Sequence, residues 1–404
     1  CLLKNNLAYN ENTCIARFVG KVLEDGMALI FFNALLLISW LTPSAWAVSE
    51  AEFEKAIPEI TRNYEKGEVG NLSAAGGKKI NYRIHSVPNE KGAIVVVNGR
   101  GESHYKYAEL ILDLNRAGYS VYSYDHRGQG FSEGRLPGEL SKRTHVGDFQ
   151  NYVDDLDLFV TQVVKSKPHP SLHLLSHSLG SVVASRYLQQ HPDSGFNSAA
   201  LTASAFGFNQ KPIPDFVARM KLCGLKDTDF ARGGEDSFDP NLSFEGNKYT
   251  SSEVRFRFAR ERMAKHPIGP NDGPTNRFAC EMMKAGSAAV DEASKIDIPV
   301  YVGIADNDKD ARVKDQQDFC KNAKKCTAEV IAGKHELLME KDEARQKLLQ
   351  SVLASFQKHS PKPSSTATPA TMDQEAESPS QCPSRQIGNT SFRTHRCEIG
   401  RAHV

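Results

Sequence analysis

Charge of one sign is the first thing this chain lacks. Its 50 Lys and Arg face 49 Asp and Glu, a formal net charge of +1 at pH 7. Such a balance gives no general attraction for nucleic acid, and no basic tract supplies a local one, so no nucleic-acid partner is expected. Cysteine is sparse, with 8 in 404 residues, too few for a disulfide-built scaffold. No internal period is present, which excludes solenoids, propellers and collagen-like arrays. No apolar run reaches the roughly 20 clean residues of a membrane span. What is there, 40% hydrophobic and 25% charged residues, is an ordinary globular composition.

At about 100–200 residues per domain, the length suggests two or three domains. Both ends reduce that number. Residues 28–41 form an apolar run broken only by Asn33 and Ser39 and closed by Pro43. Ala45-Trp46-Ala47 follows in the A-x-A pattern of a cleavage site. Residues 1–48 are therefore expected to be a leader with a cleaved signal peptide; the alternative is an uncleaved anchor, for which the run is short. Arg17 and Lys21 supply a basic region if translation begins upstream, whereas a start at Met27 leaves none. The expected location is exported, periplasmic or secreted, with inner-membrane association as the variant. Export permits disulfides. Cys320 and Cys326 sit at a helix-to-strand junction and either pair or stay as buried thiols. Residues 360–404 are expected to be a disordered tail, since Ser, Pro and Thr dominate its first half. The final residues, 398–404, match one reading frame of a common sequencing adapter and are assigned no function. Roughly 310 residues remain, ample for one large core.

Within them, buried-strand runs alternate with helical patterns. A buried strand is expected at 93–97 by its continuous Val and Ile content, with further strands at 120–124, 172–175, 199–202, 299–305 and 328–331. Helices are expected at 108–117, 148–164, 180–190 and 313–323, with a closing helix striped by Ala344, Leu348, Val352 and Phe356. This alternation implies an α/β fold, a mainly parallel sheet flanked by helices on both faces. Residues 206–294 interrupt it with helical pieces and no clear strand pair. They read as a mostly helical cap inserted between a first core segment, 49–205, and a second, 295–359.

Ser176-His177-Ser178-Leu179-Gly180 follows a Leu-rich strand and opens a helix. That is the context of a nucleophile elbow, where G-x-S-x-G lets two backbones approach and exposes the serine hydroxyl. Ser176 stands where the pattern has Gly. The hydroxyl needs a base, and the base an orienting acid, in the chain order Ser, Asp or Glu, His. His335, just after the last strand, suits the base. His191 closes the helix after the serine and suits a dipole partner instead. The acid belongs after strand 299–305, where Asp306, Asp308 and Asp310 crowd one turn. These three lack the Gly and terminal Glu of a calcium loop, so no metal site is expected. Two backbone N–H groups should hold the oxyanion: Leu179, and Arg100 in the loop Asn98-Gly99-Arg100-Gly101-Glu102-Ser103, with Gly99 letting the backbone turn. A dinucleotide reading of that loop is weak because position 104 is His.

Several dispersed stretches fit one family in the right order. They are Gly99-Arg100 through Tyr107-Ala108-Glu109-Leu110, Asp125-His126-Arg127-Gly128-Gln129-Gly130, Tyr152-Val153-Asp154-Asp155-Leu156, His177-Ser178-Leu179-Gly180, Gly273-Pro274-Thr275 and His335-Glu336-Leu337-Leu338-Met339-Glu340. Across nearly the whole body, the chain resembles the lysophospholipase and monoacylglycerol-lipase group of α/β-hydrolases, closest to the bacterial inner-membrane lysophospholipase type. The resemblance implies Ser178 as nucleophile, His335 as base and Asp308 as acid. It further implies a serine esterase acting on monoacyl lipids, lysophospholipids first and monoacylglycerols as the alternative, with no cofactor and with a membrane surface as a partner. A peptidase of the proline iminopeptidase type and a non-catalytic lipid-binding protein are the rival readings. Val254, Phe256, Phe258 and Met263 are candidate walls for an acyl chain. Arg255, Arg257, Arg260 and Arg262 either meet a phosphate or simply face water.

Overall fold

The computed structural model describes residues 46–209, 215–231, 238–239 and 241–361. The leader through residue 45, the tail from residue 362, and residues 210–214, 232–237 and 240 of the expected cap lie outside them. The apolar run 28–41 is thus not described. Among the described residues no helix is long and apolar enough to cross a membrane.

The chain opens with helix α1 (Phe53–Glu65), followed by strands β1 (Glu68–Ala74), β2 (Lys78–His85) and β3 (Gly92–Val97). Helix α2 (Ala108–Arg116) leads to β4 (Tyr119–Tyr124) and a two-residue strand, β5 (Arg143–Thr144). Next come α3 (Gln150–Gln162), β6 (Leu172–His177), α4 (Leu179–Gln190) and β7 (Ser198–Thr202). The stretch after β7 holds α5 (Asp215–Cys223), α6 (Glu253–Ala264), the short β8 (Asp272–Pro274) and α7 (Asn276–Asp291). The chain returns through β9 (Val300–Ala305), α8 (Val313–Asn322), β10 (Cys326–Ile331) and α9 (Asp342–His359).

Eight strands form one sheet in the order β1-β2-β4-β3-β6-β7-β9-β10. Only β1 with β2 and β2 with β4 pair antiparallel; the other neighbours are parallel. Every residue of β3, β4, β6, β7 and β9 is buried, as a parallel sheet covered on both faces requires. Alternation along β3 divides the core. Ala93, Val95 and Val97 join Tyr152, Val182 and Phe319 on one face, while Ile94 and Val96 join Phe53, Leu110 and Leu348 on the other. Each fully buried Val, Ile or Leu contributes about 1.5–3 kcal/mol. The expected interior strands are all present.

The edges depart from the sequence reading. The β1–β2 hairpin and α1 carry too few apolar residues to stand out; β1 buries only Leu72 and Ala74. The stretch 206–294 does contain a strand, but β8 pairs with β5, far away in sequence, so no strand pair is visible within the stretch itself. Thr275 ends that strand and caps α7, its hydroxyl accepting the Phe278 N–H at 3.2 Å. This gives Gly273-Pro274-Thr275 a structural role.

Cys320 and Cys326 are paired, and a second disulfide joins Cys223, at the end of α5, to Cys280 within α7. The second bridge closes 57 residues against 6 for the first. Loop-closure entropy then assigns about 4 kcal/mol to Cys223–Cys280 and about 2 kcal/mol to Cys320–Cys326. Replacing each pair by Ser should lower the unfolding free energy in that order in a urea titration.

Candidate active site

Strand β6 delivers Ser178 through a strained turn. Its φ of 52° and ψ of −116° lie in a region that non-glycine residues seldom adopt. The surroundings hold it there. Ser178 N–H donates to the Thr202 carbonyl at 3.0 Å, and the Ser178 carbonyl accepts from Ala205 N–H at 3.2 Å. Close approach decides the flanking residues. A Cβ on Gly180 would lie 2.1 Å from the Val97 carbonyl oxygen, so this position admits only glycine. Ser176 fits where the pattern has Gly, because its hydroxyl contacts Ser181 Oγ at 3.1 Å and the Ala200 carbonyl at 3.3 Å.

Three residues far apart in sequence meet at the carboxyl edge of the sheet. Ser178 Oγ lies 3.0 Å from His335 Nε2, and His335 Nδ1 lies 2.7 Å from Asp308 Oδ2. Asp308 and His335 are buried. The other oxygen of Asp308 accepts the N–H groups of Asp310 and Ala311, both at 2.8 Å, so the carboxylate is aimed by its own loop. The alternatives fall elsewhere. Asp306 accepts the Gly333 N–H on an exposed side, and Asp310 pairs with Lys248 at 2.6 Å. His191 sits 3.6 Å from Asp157, at the end of α4.

Burial opposes charge on His335, but the hydrogen bond and charge of Asp308, with help from Glu336 and Asp310, outweigh it and raise the imidazole above its ordinary 6.5. Aspartate bonded to one ring nitrogen leaves the other free to take a proton from Ser178.

The loop after β3 lies beside the elbow, and its glycines behave differently from expectation. Gly101, not Gly99, has the left-handed backbone, with φ of 70°. Gly99 is needed for space instead: a Cβ there would meet Glu102 Oε2 at 2.9 Å and His177 Cδ2 at 3.1 Å. Gly99 N–H donates to Glu102 Oε2 at 2.7 Å and Gly101 N–H to Gln129 Oε1 at 2.5 Å. Gln129 is held in turn by Tyr152, and Asp125 by the His104 and Phe131 N–H groups and the Ser103 hydroxyl. The Asp125–Gly130 motif is thus the brace of this loop.

The arginines of α6 are mainly structural. Arg255 is fully buried and bonds Glu109, Asp342 and the carbonyls of Val48 and Glu340. Arg262 is buried over Tyr105. Neither faces water, which corrects the expectation for those two, while Arg257 does and pairs with Glu253. Arg260 lies over the Phe238 ring at 4.4 Å. Phe258 packs edge-on against Phe53 in the core, so it serves the fold. A cavity of about 350 Å³ lined by Phe206, Arg219, Met283, Arg312 and Asp315 touches none of the three triad residues.

Glu102, His177 and Glu336 place ligand atoms within 4.8 Å of one another, a set that a metal could use. The Lys106 ammonium already bonds both carboxylates, so one of their two charges is met by a side chain. Sequence reading did not single out Lys106, Glu102 or Glu336. The i,i+4 spacing of Glu102 and Lys106 is the one signal that was available.

The profile of a family described as "Serine aminopeptidase, S33" matches residues 88–342. The chain belongs to this family of α/β-hydrolases. A probable lysophospholipase L2 of Haemophilus influenzae is 30% identical over 305 residues, covering 74% of this chain and 94% of that protein. Lysophospholipase L2 of Escherichia coli is 33% identical over 279 residues, 66% of this chain and 80% of its own. Among solved structures, a soluble variant of Saccharomyces cerevisiae monoglyceride lipase shares the fold with TM-score 0.59 at 18% identity, over 73% of this chain and 96% of that one.

The base must be neutral to accept the serine proton, and its raised pKa means that it is neutral only above the ordinary value. kcat/KM should therefore rise with pH through an inflection above 6.5. Asp308→Asn removes the main cause, so the inflection should move down while kcat falls on the order of 10³–10⁴-fold. A pH–rate series on both proteins checks this.

Proposed function

We propose that this chain is a serine hydrolase cleaving the carboxylic ester of monoacyl lipids, lysophospholipids first and monoacylglycerols second. The carrying observation is the hydrogen-bonded chain from Ser178 through His335 to Asp308 at the head of α4. Support for the substrate class comes from the relatives named lysophospholipase L2 and from a monoacylglycerol lipase of Mycolicibacterium smegmatis, 27% identical over 157 residues.

In the reaction, Ser178 Oγ bonds to the ester carbonyl carbon as its proton passes to His335 Nε2. The carbonyl oxygen takes the negative charge and is held by two N–H groups, those of Leu179 and Arg100. Leu179 opens α4, so its N–H has no acceptor within the helix. Arg100 stands between Gly99 and Gly101, whose N–H groups are both taken by side chains, which leaves the Arg100 N–H for the oxyanion. The tetrahedral species collapses: the bond to the glycerol oxygen breaks, and that oxygen receives the proton from His335 Nε2. Water repeats the sequence on the acyl-enzyme, releasing the fatty acid and restoring Ser178. No step calls for a metal or cofactor. We propose the described part of residues 206–294 as the cap over the acyl chain, and the membrane surface is where such a substrate resides.

The family's aminopeptidase description favours a second reading, cleavage at a peptide amino terminus. That activity needs a carboxylate to grip an ammonium. Near the triad, Glu102 and Glu336 are engaged by Lys106 and Asp310 by Lys248, which supports the esterase reading. We further propose that the protein is exported. Two disulfides suit an oxidising compartment.

Product release should be measured in parallel on a lysophosphatidyl lipid, a monoacylglycerol and a proline-anilide peptide. Fatty acid is expected from the first two, and Ser178→Ala should lower its rate on the order of 10⁴-fold or more. Release of the anilide alone, or undiminished hydrolysis in Ser178→Ala, would reverse the assignment.

A further inference from the structure

A buried ammonium ties the loop after β3 to the loop that carries His335, and through Glu336 reaches the elbow. Lys106 Nζ lies 2.5 Å from Glu102 Oε1 and 2.8 Å from Glu336 Oε1. The second oxygen of Glu102 accepts the Gly99 N–H at 2.7 Å and the Tyr107 hydroxyl at 2.6 Å. The second oxygen of Glu336 stands 3.4 Å from Nε2 of His177, the residue before the nucleophile. Glu102, Lys106, His177 and Glu336 are each at most 9% exposed, so these charges interact with little screening by water. The chain of contacts runs from the oxyanion loop, through Lys106, to the residue next to the base, and on to the elbow.

Taking these charges out of water is costly unless pairing and hydrogen bonds offset it. Two carboxylates around one ammonium leave one negative charge unmatched by Lys106, on the side where Glu336 faces His177. The His335 ring lies beside it, its centroid 5.0 Å from that of His177. An imidazolium at His335 is the group that this charge favours. Of the other titratable and charged groups around His335, His177 faces the same Glu336 carboxylate and shares its charge. Asp308 bonds His335 Nδ1, Asp310 is paired with Lys248, and Lys334 turns its ammonium to the carbonyls of Asn247 and Thr250.

We propose that Lys106 is a positioning residue of the reaction: it fixes the oxyanion loop against the loop of the base and holds Glu336 as a negative charge beside the His335 imidazolium. Protonation directions agree. Burial pushes the Glu336 carboxyl up, but Lys106 and then His177 hold it well below the usual carboxylate range. Burial disfavours the Lys106 ammonium, yet Glu102 and Glu336 raise it above its ordinary value. Both therefore stay charged at neutral pH. The inference rests on Ser178, His335 and Asp308 being the working triad.

The test uses p-nitrophenyl butyrate, with active sites counted by a fluorophosphonate. Lys106→Met should lower kcat per titrated site by roughly 10–100-fold, the cost of about 1 Å of misplacement, with KM nearly unchanged. Lys106→Arg should recover part of that loss. Glu336→Gln keeps the shape and removes the charge, so the inflection of kcat/KM should move to lower pH. An unmoved inflection in Glu336→Gln, whatever happens to its melting temperature, overturns the proposal, as does an unchanged kcat per site in Lys106→Met. If Lys106→Met does not fold, the Glu336→Gln profile decides alone. Wild-type protein that neither hydrolyses the ester nor takes the label would sink the triad reading itself, a result distinct from either of these.

Discussion

Strand β6 passes into helix α4 through a turn that only a close backbone approach permits. Gly180 rests so near the Val97 carbonyl that a methyl group has no room, and Ser178 is held at a φ of 52°. Strain of this kind costs on the order of 1–3 kcal/mol and persists only where the surroundings over-determine it. Here they do. β3 and β7 flank β6 with fully buried residues, and the Thr202 carbonyl takes the Ser178 N–H. The same approach sets the loop after β3 beside the nucleophile. The site is thus a consequence of how tightly two parallel strands and one helix pack.

Around that turn the protein places buried charge in compensated groups. Arg255 and Arg345 bind Glu109, with Arg345 also on Asp113, and fasten α6 and α9 to α2. Lys106 serves Glu102 and Glu336 at the site. Breaking one partner of such a buried pair typically costs about 3–5 kcal/mol, because the survivor is left desolvated. Residues of α6 that resemble a phosphate-binding row in sequence are therefore committed in large part to holding that helix on the core.

The interior of the fold was legible because interior parallel strands read as predominantly apolar runs. β3, β6 and β9 are visible in Ile94–Val97, Leu172–Leu175 and Val300–Ala305 for that reason. The β1–β2 hairpin was not, because β1 at the sheet edge is largely exposed and its neighbour β2 carries Lys78, Lys79 and Arg83 among few apolar residues. The pairing of β5 with β8 has no local signal either, since each is too short to have a pattern. At the site, Ser178 and His335 stand out by the turn and by chain order. Asp308 was separable from Asp306 and Asp310 only by resemblance, since all three share one turn composition.

By itself the sequence determined the strand–helix alternation, the elbow and the order of the three catalytic candidates, because these are written in local patterns of side-chain size and polarity. Only the tertiary structure decided which aspartate faces the imidazole, that Arg255 and Arg262 are buried, that Cys223 meets Cys280, and that one lysine joins the loop after β3 to the loop of His335. Those outcomes depend on groups separated by tens to hundreds of residues. Their energies come from burial and from the loss of water between charges, and neither exists until the chain has closed around them.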